Sequence, residues 1–95
     1  MTESVRDVRD AAERHRFELT VDGELVGFVQ YRRREGVLDL IHTEVPPEHE
    51  GKGYGSVLAR WILDHCRAEG LKVIPSCPYI AAFLARHPEY DDLVA

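Results

Sequence analysis

The spacing of the apolar residues changes halfway along the chain. In the first half they alternate with polar residues or form short runs, which is the pattern of strands. Three strands are predicted, over residues 16–21, 25–31 and 37–45. Asp22-Gly23, whose residues tolerate positive φ, predicts a two-residue hairpin turn between the first two strands, and Gly36 predicts a second turn. We therefore expect an antiparallel three-strand meander, with its third strand central because both faces of that strand are apolar.

The second half of the chain has helical spacing. Three apolar pairs lie one turn apart and predict an amphipathic helix over residues 56–69, which Gly70 ends. The pairs are Val57-Leu58, Trp61-Ile62 and His65-Cys66. A short strand over residues 71–74 and a C-terminal helix over residues 80–86 complete the pattern. The prediction is an α/β (α+β) fold in which the strand after the first helix runs parallel to the strand before it.

Composition points to one small domain covering residues 1–95. Of its residues 44% are apolar and 31% charged, and no apolar run is long enough to span a membrane. Two cysteines, and an N-terminus without an apolar core, favour a reducing, cytoplasmic setting. The net charge of −5 disfavours nucleic acid as a partner, and Arg32-Arg33-Arg34 is interpreted as a solvated turn. Residues 1–15 are highly charged, and we predict a loosely attached arm there.

The sequence Glu50-Gly51-Lys52-Gly53-Tyr54-Gly55 lies where the strand pattern gives way to the helix pattern. Glycine lets a backbone approach a ligand closely, and a helix N-terminus offers unpaired N–H groups at the positive end of its dipole. The loop therefore predicts a site for a phosphate-bearing ligand. A P-loop is excluded because no Gly-Lys-Ser/Thr follows at its spacing. A dinucleotide fold is disfavoured because three antiparallel strands precede the loop.

With this loop and this order of elements, the chain resembles the GNAT superfamily of acetyl-CoA-dependent N-acetyltransferases, and among them the compact YjdJ-type domains. The superfamily's acyl-CoA motif, Gln/Arg-x-x-Gly-x-Gly/Ala, aligns with the glycine-rich loop, although Glu50 stands where glutamine or arginine is usual. Four further segments extend the resemblance over about residues 16–93. They are Arg16-Phe17-Glu18-Leu19, His42-Thr43-Glu44-Val45-Pro46, Pro75-Ser76-Cys77-Pro78-Tyr79 and His87-Pro88-Glu89-Tyr90.

The resemblance implies a minimal GNAT-like fold that binds acetyl-CoA between the third strand and the following helix. The pantetheine arm would pair with the strand that ends at Glu44-Val45, with residues 72–74 as the opposite wall. The expected coenzyme-binding residues are Glu44, Val45, Gly51, Lys52, Gly53, Tyr54, Gly55, Ser56 and Cys77. The chain lacks the N-terminal helices with which larger members shape an acceptor pocket, so the acceptor stays open: a small-molecule or a protein amine.

Four residues are candidates for the chemistry. His42 and Glu44 share a strand face, and either could take a proton from an amine or simply bond to a neighbouring loop. Cys77 lies where the resemblance places the reacting centre, and its thiol could accept an acetyl group or merely fill apolar space. Tyr79 could protonate the departing CoA thiolate or pack over the second helix. Cys66 lies on the buried helix stripe and is expected to be core.

Three functions are consistent with these residues. The leading hypothesis is acetyl transfer from acetyl-CoA to an amine, either directly or through Cys77. The second is a non-catalytic CoA-binding or regulatory module. The third, a monothiol redox protein, is suggested by Ser76-Cys77-Pro78-Tyr79 but disfavoured because Ile80 stands where a second cysteine would be. No metal site is predicted, since the histidines do not fall at ligand spacing, and we expect no membrane partner and a monomer or weak dimer.

Overall fold

A five-stranded sheet organises the protein, whose computed structural model describes residues 5–95. The strands are β1 (Arg6–Ala11), β2 (Arg16–Val21), β3 (Glu24–Arg34), β4 (Val37–Glu44) and β5 (Lys72–Ile74). They lie side by side in chain order, the first four antiparallel and β5 parallel to β4. The predicted meander and the predicted parallel strand pair are therefore confirmed, and β4 has a neighbour on each side as expected.

The predicted loose arm is wrong, because β1 is an edge strand of the sheet. It pairs with the whole of β2, and its last residue, Ala11, is fully buried. Tyr31 of β3 also donates its hydroxyl to Asp10 at 2.5 Å, and burial together with that carboxylate raises the pKa of Tyr31 to about 12. Charged residues hid the strand from pattern analysis, since edge strands carry charges that discourage pairing with other chains. Residues 1–4 of the predicted arm lie outside the described part.

The turns follow the sequence prediction. Asp22 and Gly23 have φ of 50° and 85°, the positive values that a two-residue hairpin between twisted strands requires. Gly36, with φ of 72°, closes the next hairpin. A bulge interrupts that hairpin, because Gln30 pairs with His42 while Tyr31 pairs with Leu40. The extra residue is Ile41, and a bulge of this kind re-aims the side chains that follow it.

Two helices pack with the sheet around one core. They are α1 (Tyr54–Glu69) and α2 (Pro78–Arg86), and each begins two residues before its predicted start. Gly70 ends α1 in the left-handed conformation, as predicted. The core includes Phe17, Leu19, Val29, Leu38, Leu40, Leu58, Ile62, Leu63, Cys66, Val73, Ile80 and Phe83. No helix within residues 5–95 is both long enough and apolar enough to cross a bilayer.

The pairing between strands β4 and β5 is short. Their pairing ends at Asp39 and Ile74, and one further bond follows, from Cys77 N–H to Leu40 C=O at 2.8 Å. Pro75, which has no N–H, leads the chain away from β4. Residues 42–44 of β4 therefore pair with β3 on one side and, among the described residues, have no strand on the other. This opening holds the candidate site.

Candidate active site

The glycine-rich loop presents a run of free backbone donors. Between the last bond of the preceding 3-10 turn, Glu50 N–H to Pro47 C=O, and the first bond of α1, Val57 N–H to Gly53 C=O, no N–H of residues 51–56 has an acceptor within the described chain. Side chains do not cap this end of α1 either. Free donors at the positive end of a 16-residue helix are the groups that anions bind in proteins.

The three glycines of the loop serve two different purposes. Gly51 and Gly53 have φ of 81° and 79°, and a Cβ on either would meet nothing within 4 Å, so both face open space. Gly55 is helical, and a Cβ there would lie 2.8 Å from the ring of Tyr79. The first two glycines therefore allow the left-handed backbone of the loop, whereas Gly55 makes room for Tyr79.

A cavity of about 380 Å³ joins the loop to the open end of β4. It lies between the last residues of β4, the 3-10 turn Pro47–His49, the start of α1 and the first turn of α2. Its lining consists of Thr43, Glu44, Val45, His49, Glu50, Gly51, Gly53, Tyr54, Gly55 and Tyr79. Six of the nine expected coenzyme-binding residues are in this lining, namely Glu44, Val45, Gly51, Gly53, Tyr54 and Gly55.

Lys52 and Ser56 lie beside the cavity rather than in its lining. Lys52 is exposed on the loop. Ser56, on the first turn of α1, places its hydroxyl 3.1 Å from the hydroxyl of Tyr79. Tyr79 itself is 37% exposed and spans from α2 to α1. The contact with Ser56 and the space above Gly55 thus fix where the Tyr79 hydroxyl lies at the cavity mouth.

His42 and Glu44 lie together on the outer face of β4, as their spacing predicts. Nε2 of His42 is 3.5 Å from Oε1 of Glu44, and both side chains are about half exposed. Glu44 also lines the cavity, whereas His42 does not. The pair therefore connects the cavity to the outer surface of the sheet, where a proton acceptor can be reached from solvent.

Cys77 is buried behind the cavity wall. It is only 3% exposed, it precedes the first residue of α2, and its Sγ is 3.2 Å from the hydroxyl of Thr43, which is in the lining. Cys66 lies in the core, as expected, and burial raises the pKa of its thiol to about 11. The two cysteines therefore differ. Cys66 lies inside the core, whereas only the side chain of Thr43 lies between Cys77 and the cavity.

Sequence reasoning missed His49 as a cavity residue. Its Nε2 lies 3.1 Å from a carboxylate oxygen of Glu24 on β3, while its buried Nδ1 has no hydrogen-bond partner within residues 5–95. The Glu24 contact holds the 3-10 turn, and with it the entry to the glycine loop, against the sheet. The signal available in the sequence was position alone: a histidine directly before the glycine motif.

The other histidines have structural contacts. His65 stacks on Trp61 with ring centroids 5.0 Å apart, and His87 lies 2.7 Å through Nδ1 from the carbonyl of Phe83 at the end of α2. Within residues 5–95 no three His, Cys, Asp or Glu side chains are grouped in a way that could hold a metal ion.

Comparisons with known proteins place the chain in a family. A family model described as GCN5-related N-acetyl-transferase matches residues 16–93. Protein NATD1 of Bos taurus, of Gallus gallus and of Homo sapiens is 38% identical over 52 residues, which is 55% of this chain. The matched part is 46–47% of those proteins, so the chain spans about half the length of the curated relatives it matches.

A solved structure supports the fold. A GCN5-like protein from Staphylococcus aureus, determined by NMR in solution, superimposes with a TM-score of 0.71 over 94% of this chain and 87% of its own, at 23% identity. The family match covers most of the chain and includes the loop, the open end of β4 and Tyr79. The chain therefore belongs to the GCN5-related N-acetyltransferase family.

Proposed function

We propose that the protein binds acetyl-CoA in the cavity and transfers the acetyl group to a primary amine. The observation that carries this proposal is the row of six free N–H groups, residues 51–56, at the edge of a cavity that continues along the unpaired end of β4. A diphosphate needs such a row of donors, and an extended arm with amide groups needs an unpaired strand edge. Coenzyme A has both parts in that order.

The binding energy available from the loop is sufficient for a metabolite. Each hydrogen bond to a charged oxygen contributes roughly 1.5–3 kcal/mol. Three or four such bonds approach the roughly 8 kcal/mol of micromolar binding, before the costs of ordering the ligand are subtracted. Because Glu44 and Glu50 line the cavity and Lys52 is the one basic residue of the loop, the side-chain charges around the loop give the diphosphate no net attraction. The backbone donors must therefore supply that attraction.

In the proposed reaction the amine attacks the thioester carbonyl directly. The carbon–nitrogen bond forms, the carbon–sulfur bond breaks, and the electron pair leaves on the CoA sulfur. Glu44, assisted by His42 at 3.5 Å, takes the proton from the attacking nitrogen. Tyr79, positioned by Ser56, donates a proton to the departing thiolate. The products are an amide and CoA. Glu44 then releases its proton to solvent and Tyr79 takes one up from solvent, which restores both groups.

A non-catalytic CoA-binding module is the second candidate. The contact between His42 and Glu44 is long, and both side chains are half exposed, so the base is less firmly fixed than the donor site. The same cavity could therefore hold the coenzyme without promoting its reaction. Turnover separates the two candidates, since both predict binding.

The test combines calorimetry with a transfer assay. We expect acetyl-CoA and CoA to bind in the micromolar range and ATP to bind much more weakly, because ATP lacks the pantetheine arm. Thiol release in the presence of primary amines should then exceed the release by acetyl-CoA alone. Binding without amine-dependent release would favour the module, and absence of binding would contradict both candidates.

A further inference from the structure

The outer edge of β1 carries unpaired backbone groups. β1 is the first strand of the sheet, and in the described part of the chain no strand pairs with its other side. Asp22 donates its N–H to the C=O of Val5 at 2.8 Å, so the alternation of an antiparallel ladder makes the odd-numbered residues of β1 bond to β2. The N–H and C=O groups of Arg6, Val8 and Asp10 therefore point away from β2, toward the open edge.

The order of charges on β1 is complementary to itself. The strand reads Arg6-Asp7-Val8-Arg9-Asp10, so each basic residue has an acidic counterpart on the other side of Val8. If a second copy of β1 pairs antiparallel about a two-fold axis at Val8, Arg6 lies opposite Asp10 of the second copy, and Asp7 lies opposite Arg9. Opposite residues of antiparallel strands share a face of the sheet and are close enough to interact, so both contacts join opposite charges.

The same charges exclude the other registers. The free groups of the even-numbered residues can bond only to one another, so the axis must pass through a residue of β1 and not between two residues. An axis at residue 6, 7, 9 or 10 would place that residue opposite its own copy, arginine on arginine or aspartate on aspartate. Like charges directly opposite each other are destabilising. Charges on an edge strand usually prevent pairing, and on β1 they oppose every one of these registers except the one centred on Val8.

Asp7 and Arg9 are available for this contact. Both are exposed, and the carboxylate of Asp7 has no ion-pair partner within the described chain. Arg9 belongs to a cluster that has one more arginine than carboxylates. The cluster consists of Arg9, Arg14, Arg16, Glu13 and Glu18. It therefore keeps a positive charge that can attract Asp7 of the second copy.

The other face of β1 contributes less charge and more apolar contact. Asp10 already accepts the hydroxyl of Tyr31 and lies 3.7 Å from Arg33, so its charge is partly compensated. Val8 packs against the core of its own copy. In the register centred on Val8, the two valines lie opposite each other and extend the apolar layer across the axis.

We propose that the β1 edge binds a second copy of this chain, so that two five-stranded sheets join into one continuous sheet. Arg6 with Asp10, Val8 with Val8 and Asp10 with Arg6 would each exchange two backbone hydrogen bonds. A strand of six residues forms an interface at the small end of the range, so the dimer is weak and forms at high protein concentration. The proposal is independent of acetyl transfer, because no residue of β1 lines the donor cavity.

Sedimentation equilibrium of the full chain, from about 20 μM to about 1 mM, measures this association. Wild type should shift from monomer toward dimer over this range. Asp7→Arg should lower the association constant about tenfold or more, because it places arginine opposite Arg9 twice in the dimer. Asp91→Arg is the matched control and should associate like wild type. It makes the same change of charge at an exposed residue of the 3-10 turn before Val94, which bridges to β5 at the other edge of the sheet.

A double variant tests the register. Asp7→Arg/Arg9→Asp exchanges the two charges, so opposite signs face each other again and the association should recover. NMR spectra at rising concentration should show shifts of the backbone signals of β1 and none at Asp91. A wild type that stays monomeric at the highest concentration, or equal association of wild type and Asp7→Arg, would overturn the proposal. If thermal denaturation shows that the double variant is unfolded, the comparison of Asp7→Arg with Asp91→Arg decides alone.

Discussion

Tyr79 is the residue through which the two helices meet at the cavity. It extends from α2, lies over Gly55 and touches the hydroxyl of Ser56 at 3.1 Å. A larger residue at position 55 would displace the ring, which explains a glycine in a helical conformation that any residue can adopt. The last glycine of the motif is therefore explained by Tyr79 and not by the phosphate.

Tyr79→Phe should lower kcat about 100-fold while leaving the affinity for acetyl-CoA nearly unchanged, because it removes a proton donor and keeps the ring. Steady-state kinetics and calorimetry on the same preparation measure the two effects. Ser56→Ala should lower kcat less, since it removes the contact that positions the Tyr79 hydroxyl but leaves that hydroxyl in place. A full-rate Tyr79→Phe enzyme would exclude Tyr79 as the acid.

Cys77 allows the direct and the covalent routes to be separated. Its thiol is buried and in contact with Thr43, outside the cavity lining, so we expect Cys77→Ala to retain most of the activity. Loss of an obligatory nucleophile would instead lower kcat on the order of 1000-fold or more. Intact mass after mixing wild type with acetyl-CoA is the companion measurement. An acetyl adduct that disappears in Cys77→Ala would establish the covalent route and contradict ours.

Among the elements, β4 contributes most to the site. Beyond its pairing with β5, Thr43 and Glu44 line the cavity, and the bulge at Ile41 directly precedes the His42–Glu44 pair. Gly27 on β3 allows this arrangement, because a Cβ there would lie 3.2 Å from both Glu44 O and Val45 Cγ2. One strand thus provides both the proposed pantetheine edge and the proposed base.

Strands β1 and β2 are held together by an arginine cluster around Glu18. Arg9, Arg14 and Arg16 all approach this carboxylate, which is 5% exposed. Burial alone would raise the pKa of Glu18, but hydrogen bonds from Arg16 and Arg14 outweigh burial, and its pKa lies below the ordinary value of 4.5. This stabilisation is complete above pH 4.5 and is lost as the pH falls through the lowered folded-state pKa.

Glu18→Gln should therefore reduce the free energy of unfolding at pH 7 by about 1–3 kcal/mol, because the arginines lose a charged partner. The difference between variant and wild type should shrink as the pH falls below 4.5. Urea unfolding at a series of pH values measures both effects. A difference that stays constant down to pH 3 would mean that folding does not lower the pKa of Glu18.

Elements with strong local signals were predictable from the sequence. The Asp22-Gly23 pair predicted the hairpin between β2 and β3, and Gly70 predicted the end of α1. The glycine motif predicted where the free backbone donors lie. The strand β1 was not predictable, because its few apolar residues are outnumbered by charges whose partners lie on β2 and in the following turn. The position of His49 in the cavity was not predictable either, because it depends on a contact with Glu24, 25 residues away along the chain.

At the scale of the whole molecule, the two faces of the sheet have different tasks. The helices and the core cover one face, and the outer face carries a series of polar and charged side chains that leads from Arg32 to Glu44. The donor cavity opens beside the end of β4, beyond the point where its pairing with β5 ends. The expected monomer or weak dimer stays a prediction.

The glycine loop is the proposed acetyl-CoA site, and one pair of variants tests that assignment most directly. Gly53 and Gly70 cap the two ends of α1 with φ of 79° and 71°, and a Cβ at either position would meet nothing within 4 Å. Replacing either by alanine should therefore cost a similar 1 kcal/mol or so of stability. Only Gly53→Ala places a methyl group where the diphosphate must approach.

The decisive measurement is the calorimetric affinity of acetyl-CoA for wild type, Gly53→Ala and Gly70→Ala, each checked for folding by thermal denaturation. We predict micromolar binding to wild type and to Gly70→Ala, and at least a tenfold loss in Gly53→Ala. Equal affinity of all three proteins, or no binding by the folded wild type, would contradict the assignment of the loop as the acetyl-CoA site.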